Sequence, residues 1–373
     1  MAYVPLHVHS EYSLLDGSIR LPDLARRCRD WGLPACALTD HGNLHGAVEF
    51  HDACLAEGVK PILGCELYVA PGSRLDRLDR RGPADAGHHL VVLARDVEGW
   101  RNLIQLSSKA HLEGFHTKPR VDKALLAEHA RGLTCLSGCI SGEVASLLLR
   151  GEEPLARAAA ETYLDIFGKG HFFLEVQDHG LEPQKAINAG LAALSRDLGV
   201  PLVATPDCHY LDRSDAEAHA VLLCIQTATH INDPKRLRFE SDEFYLKSED
   251  EMRALFSWAP GAVDRSVEIA ADCSFSFPKA TLRLPSFNLP AGAHDPLAHL
   301  RSLCLSALPV RYPSEPLEAR ARLEHELGVI GRLGYAGYFL IVADFVGAAR
   351  SLGVRVGPGR GSAGGSLTAY LLG

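Results

Sequence analysis

The sequence predicts an α/β protein built on a closed or nearly closed barrel of strand–helix units, and three observations predict it. Short apolar runs of strand length alternate with segments of helical spacing through the first ~210 residues, the pattern of a parallel sheet. About seven such units are present, more than a short open sheet needs. Histidine, aspartate, glutamate and cysteine recur where the apolar runs end, and in such barrels chemistry collects at one end of the strands.

In chain order, Tyr3 to His9 reads as a strand, Pro22 to Trp31 as a helix and Ala35 to Thr39 as a second strand. Asn43 to Glu57 is helical, Pro61 to Val69 and His89 to Ala94 are strand-like, and Gly99 to His111 is helical again. Thr134 to Ser137, Phe172 to Val176 and Pro201 to Thr205 complete the strands. Helices near Pro154 to Phe167 and Pro183 to Leu198 lie between them, each with proline near its start. The proline-rich, aperiodic segment Phe277 to Pro296 marks a boundary, giving one domain over residues 1–280 and a second beginning at 281–373. Beyond it, Leu317 to Leu333 and Tyr338 to Leu352 read as helices. Val354 to Val356 reads as a strand running into a glycine-rich loop.

Composition narrows the class. Hydrophobic residues at 47% and charged residues at 23% fit a soluble globular protein. The longest apolar run, Leu340 to Val346, is broken by Asp344 and is too short to cross a bilayer, and Met1 to Ser10 lacks a basic stretch followed by an apolar one, so no signal peptide is expected. The ten cysteines never form a CxxC pair, so a cytoplasmic chain with reduced thiols and no membrane association is expected. A net charge of -8 excludes nucleic-acid binding through a generally basic surface, leaving only local contacts. The basic stretches Arg74 to Arg81 and Lys235-Arg236-Arg238 could make such contacts, and solvated loops are the plainer reading.

A metal constellation stands out. His7 and His9 are two apart on a strand, so both side chains face one side and can reach one ion. Asp40 and His41 follow the second strand, Glu66 ends the third apolar run and His88-His89 opens the next. Cys139 closes another strand, and Asp207 and His209 repeat the alternation of His7 and His9. Taken singly, each has a plainer reading: a polar strand face at His7 and His9, a turn residue at Asp16, a small buried hydrophobe at Cys139.

The segments LHVHSEYSLLDG, ALTDHGN, ILGCELYVA, HHLVVLA, LSGC and ATPDCHYL together resemble the PHP (polymerase and histidinol phosphatase) family. They are most similar to the version fused to C-family bacterial replicases of the polymerase III alpha type. The resemblance implies a distorted (β/α)7 PHP barrel followed by the beginning of a polymerase palm domain. It implies three divalent ions, zinc or manganese with iron a further option, on nine ligands: His7, His9, Asp16, His41, Glu66, His89, Cys139, Asp207 and His209. His7, His9, Glu66 and Asp207 would hold one ion and form the catalytic set. Glu66 would bridge to a second with His89 and Cys139, and Asp16, His41 and His209 would hold the third. Asp40 and His88 would support them.

The implied activity is 3′–5′ exonuclease proofreading. The alternatives are a metal-stabilised scaffold without catalysis and a stand-alone small-molecule phosphatase. Phe239 to Tyr245, Gly337 to Val342 and Val356 to Leu367 resemble the same replicase family, with small departures at Gly365 and Thr368. There Gly359, Arg360, Gly361 and Ser362 would meet nucleotide phosphates, on a loop and helix start whose backbone N–H groups suit anions. The family's palm aspartates lie further along, so this stretch alone would not polymerise. The parent protein would use magnesium, DNA primer-template and deoxynucleotides, with the sliding clamp and clamp loader as partners.

Overall fold

The computed structural model describes residues 3–77, 87–278, 284–314, 317–359 and 361–373. Arg360, the expected boundary at residues 280 and 281, and part of the basic stretch after Arg77 lie outside the described residues. The chain divides into two compact units, Met1–Pro278 and Lys279–Gly373.

The first unit carries seven strands: β1 (Ala35–Leu38), β2 (Lys60–Val69), β3 (His88–Ala94), β4 (Arg120–Val121), β5 (Leu133–Leu136), β6 (Phe172–Val176) and β7 (Leu202–Ala204). Its helices are α1 (Leu21–Asp30), α2 (Ala47–Ala56), α3 (Val97–Leu112), α4 (Lys123–Glu128), α5 (Glu143–Leu149), α6 (Glu153–Phe167), α7 (Glu182–Leu198), α8 (Ala216–Gln226), α9 (Glu249–Leu255) and α10 (Pro260–Asp272). The sheet runs β1-β2-β3-β5-β6-β7, with β4 extending it beside β2.

The sheet is not all parallel, contrary to the strand–helix alternation. β3 runs antiparallel to both β2 and β5, while the other pairs are parallel. A parallel return needs a crossover, usually a helix, and the sequence between Val69 and His88 has no helical periodicity to build one.

The opening segment differs too. Tyr3 to His9 forms no regular ladder strand, yet it joins the two ends of the sheet. Ala37 N–H donates to Pro5 O at 2.9 Å and Thr39 N–H to Val8 O at 2.9 Å. On the other side His9 N–H donates to Cys208 O at 2.9 Å. Pro5 has no N–H to contribute to a ladder, and Val8 N–H is taken at 2.9 Å by the Thr39 hydroxyl.

Side-chain alternation explains how this frame builds a site. One face of the sheet carries Ala35, Ala37, Ile62, Val91, Leu93, Leu136, Phe173 and Val203, closed off by Ile269 and Ala270 of α10 and by Cys273 just after it. Continuing every second residue along the same face leads from Ala37 to Thr39 and His41, from Ile62 to Glu66, and from Val203 to Thr205 and Asp207. Apolar packing at one end of the barrel therefore gives way to ionisable groups at the other. The opposite face packs the surrounding helices through Leu38, Leu63, Leu90, Val92 and Leu174.

The second unit is helical among its described residues: α11 (Pro296–Arg311), α12 (Leu317–Arg332), α13 (Ala336–Ser351) and the short α14 (Leu367–Leu371). Asp295 caps α11 by accepting from Leu297 and Ala298 N–H, both at 3.1 Å. Leu300, Cys304 and Leu308 then form a helical stripe against Leu323, Leu327, Ile330 and Leu340. The expected strand at Val354 to Val356 does not form; the segment is exposed and pairs with no other strand among the described residues. Without a neighbour its N–H and C=O groups gain nothing over water. Among the described residues, no single helix is long and apolar enough to cross a membrane.

Candidate metal centre

The nine predicted ligands come from seven separate stretches of the first unit, and the barrel brings all of them to one end. The antiparallel course of β3 settles how His89, at the start of a strand, joins residues from strand exits. Tyr68 near the end of β2 is paired with His89. Glu66 is not at a strand end, as expected from the sequence, but three residues inside β2, bridged to His41.

The contacts are short. His7 Nε2 lies 3.3 Å from Glu66 Oε1 and 3.3 Å from Asp207 Oδ1. His9 Nε2 lies 3.5 Å from Glu66 Oε2 and 3.4 Å from Asp207 Oδ1. His89 Nδ1 is 2.9 Å from Glu66 Oε1, and Cys139 Sγ is 3.4 Å from His89 Nδ1. His41 Nε2 is 3.1 Å from Asp16 Oδ2, and its Nδ1 is 2.6 Å from Glu66 Oε2. The His209 ring packs on His9 with centroids 4.4 Å apart and the His41 ring at 4.1 Å, with His41 and His209 themselves 5.8 Å apart. His88 alternates to the opposite face of β3 and stays out of the cluster.

Backbone strain lies at one of these residues, Asp207, and immediately before another, Asp16. Leu15 (φ 62°) and Asp207 (φ 43°) occupy the left-handed region, uncommon for residues other than glycine. Such strain persists where the surroundings over-determine it. The Leu15 turn directs Asp16 towards His41, and the Asp207 turn directs its carboxylate at His7 and His9.

A ring of residues behind the cluster sets the imidazole tautomers. His7 Nδ1 donates to Glu175 Oε1 at 2.7 Å, leaving the Nε2 lone pair free to face Glu66 and Asp207. Glu175 is fully buried and also accepts from Gly138 N–H at 3.0 Å, Gln177 Nε2 at 2.9 Å and the Thr205 hydroxyl. His9 Nδ1 donates to Ser13 Oγ at 3.0 Å, and the Ser13 hydroxyl donates on to Asp40 at 2.7 Å. His209 Nδ1 donates to the Asp207 carbonyl at 3.1 Å. The supporting role expected of Asp40 therefore has a route, through Ser13. Glu175, Gln177 and Ser13 were missed by sequence reading. The one available signal was the interruption of the apolar strand FFLEV by a glutamate.

Electrostatics point the same way. Burial alone would raise the Glu66 carboxyl, but His89, His41 and His7 hold it well below the usual carboxylate range. Asp207, also buried, is held down by His7 and His9. Burial would lower His41, yet Glu66 and Asp16 push it up to about 10. His9, buried between His41 and His209, is driven down.

The donor set fits divalent cations. Glu66 Oε2, Asp207 Oδ1 and His41 Nδ1 are buried and, although they lie close to one another and to the neighbouring imidazoles, make no well-directed hydrogen bond among the described residues. Such orphaned groups cost free energy unless something else satisfies them. Three groups have ligand atoms within 4.8 Å of one another: His7, His9 and Glu66; His41, Glu66 and His89; and His9, His41 and His209. Imidazole, carboxylate and thiolate donors suit zinc, manganese or iron.

The predicted phosphate loop is arranged differently from expectation. Gly359, Gly361 and Ser362 are exposed, with Gly361–Gly365 forming a 3-10 turn. The start of α14 offers no free anion site, because a carboxylate of its own unit occupies it. Glu326 on α12 accepts from Leu367 N–H at 3.1 Å, Thr368 N–H at 2.9 Å and the Ser366 hydroxyl at 3.0 Å. Arg74 is also committed elsewhere, to Glu113 at 2.6 Å and Asp122 at 3.2 Å.

Fold and site together define a PHP-domain protein, and residues 5–179 match the family described as PHP domain. Residues 298–373 match the family described as Bacterial DNA polymerase III alpha NTPase domain. The whole chain aligns with DNA polymerase III subunit alpha of Treponema pallidum at 46% identity, covering 32% of that relative. It aligns likewise with the subunits of Thermus aquaticus at 41% and Mycobacterium tuberculosis at 42%, covering 36% and 33% of them. The chain belongs to the bacterial DNA polymerase III alpha-subunit family, and spans about a third of the length of these relatives.

Proposed function

We propose that the first unit is a metal-dependent phosphodiesterase acting on DNA 3′ ends, within a replicative DNA polymerase. The observation that carries this reading is the convergence of buried carboxylate oxygens without a well-directed hydrogen bond, Glu66 Oε2 and Asp207 Oδ1, on imidazoles whose Nδ1 atoms are engaged behind the cluster and whose Nε2 atoms are turned into it. His7, His9, Glu66 and Asp207 would hold one ion, Glu66, His89 and Cys139 a second, and Asp16, His41 and His209 a third. Bound divalent ions supply a water of lowered pKa and a clamp for phosphoester oxygens. The protein's own part is positional. Glu175 and the Ser13–Asp40 pair fix the tautomers of His7 and His9, and burial excludes competing water. Asp16 and His41, with side chains 22% and 12% exposed, form the open side through which a strand end would enter.

For the parent protein we propose templated DNA synthesis in the cytoplasm with magnesium, primer-template and deoxynucleotides. The sliding clamp and clamp loader are its proposed partners, and Gly359, Arg360, Gly361 and Ser362 contribute to nucleotide binding. A 3′ exonuclease assay on primed DNA with manganese or zinc tests the centre. Stepwise shortening that disappears in His9→Ala is expected; metal content below two ions per chain with no shortening overturns it. A second reading, a metal-stabilised scaffold, is favoured by the complete burial of His7 and His9. It would show bound metal, metal-dependent stability and no hydrolysis.

A further inference from the structure

Beside the centre lies a cavity of about 450 Å³, within the range of ligand-sized sites, roughly 300–1,000 Å³. Its wall includes Tyr210, His219, Arg236, Arg238, Phe239 and Ser241. Two of these tie it to the proposed ligands. His219 Nε2 donates to the Asp16 carbonyl at 2.5 Å, and Phe239 packs edge-on against His209 with ring centroids 5.1 Å apart. Asp16 has the most exposed carboxylate of the cluster, its side chain 22% exposed.

The cavity's charge is directional. Arg236 is held by the carbonyls of Ile231 at 3.1 Å and Leu237 at 3.2 Å, which fix its guanidinium without neutralising it. Arg238 is exposed and makes no hydrogen bond or ion pair among the described residues. Of the two acids in the wall, Asp242 is already paired with Arg213 through two bonds near 3 Å, and Glu240 makes no ion pair among the described residues, so the wall's two arginines exceed its unpaired carboxylate by one charge. Two guanidiniums without a salt-bridge partner beside a proposed phosphodiester-cleaving centre are suited to a polyanion, because guanidinium forks match phosphate oxygens.

We infer that this cavity is the track for the single-stranded DNA backbone leading up to the 3′ end, with Arg236 and Arg238 each meeting a phosphate. The inference rests on the proposed hydrolytic function and names how that site holds its substrate. It also explains how a chain of net charge -8 can bind a nucleic acid through a local contact.

The test is fluorescence anisotropy of a phosphorothioate-linked oligo-dT on the full chain across a salt series, alongside metal content. Arg238→Ala is expected to weaken binding about tenfold and lower the log-log salt slope by about 0.7, the value for one lost phosphate contact on a single strand. Arg238→Lys should restore most of the slope, and Arg236→Ala/Arg238→Ala should remove about twice as much. Unchanged affinity and slope in Arg238→Ala overturn the inference, as does equal binding of the oligonucleotide and of dTMP. Shortening of unmodified DNA by the wild type is scored separately. If the slope depends on Arg238 but nothing is shortened, the strand track stands and the hydrolytic reading fails. If shortening occurs and the slope ignores Arg238, the reverse holds.

Discussion

His7 Nδ1 and Glu175 Oε1 are 2.7 Å apart, both fully buried, and this one bond determines which nitrogen of His7 faces the cluster. A carboxylate behind a metal-ligating imidazole fixes ring orientation and raises ligand basicity. Glu175→Gln keeps the shape and removes the charge. We expect metal affinity to fall by about 10–100-fold, read by competition titration with a chromogenic chelator. An affinity equal to wild type would reduce Glu175 to a packing residue.

Removing metal should loosen the first unit. Ligand binding to the native state adds about 2.7 kcal/mol at a hundred times Kd. Melting in EDTA should therefore come several degrees earlier, and be restored by zinc or manganese. Identical melting curves with and without chelator would argue against any tightly bound ion.

Asp207→Asn should separate chemistry from fold. Asparagine tolerates the left-handed conformation that Asp207 adopts at φ 43°, so the backbone turn should survive. Loss of the charge facing His7 and His9 should cut exonuclease turnover by more than about a hundredfold. Circular dichroism should be unchanged. A variant retaining a tenth of the wild-type rate would remove Asp207 from the reacting ensemble.

In the second unit, Glu326 should act as a helix cap with a pH signature. Burial raises its carboxyl, but the Thr368 and Leu367 N–H groups, Arg322 and Ser366 bring it down to about 2. A depressed carboxylate stabilises above its unfolded value of 4.5 and loses that contribution as pH falls towards 2. Glu326→Ala should cost about 1 kcal/mol at neutral pH. The gap to wild type should close in acid melts below pH 4.5, and a gap that stays constant would show that the charge is immaterial.

Much of this was legible in the sequence, for identifiable reasons. β6 was placed to the residue and α7 to within one, because Phe172 to Val176 is a bounded apolar run and Pro183 marks a helix start. The nine proposed ligands were singled out through the family resemblance, and the structure brings these side chains to one end of one barrel. The direction of β3 was not legible, since hydrophobic alternation is the same read either way. Glu175 escaped because its partners Gly138 and Thr205 are 37 and 30 residues away, and the bonds exist only once the barrel forms. Helix α11 was obscured by the prolines before it, although Asp295 and Pro296 are a good start signal.

The reversed strand β3 has one further consequence. His88 and His89 are chemically the same side chain on opposite faces. If β3 slipped by one residue against β2, an imidazole would still arrive near Glu66, so ligand chemistry alone cannot select the pairing. The slip would also turn Val91 and Leu93 away from the face packed by Ile62 and Phe173. Hydrophobic packing at one end of the barrel thus proofreads which of two adjacent histidines is presented at the other.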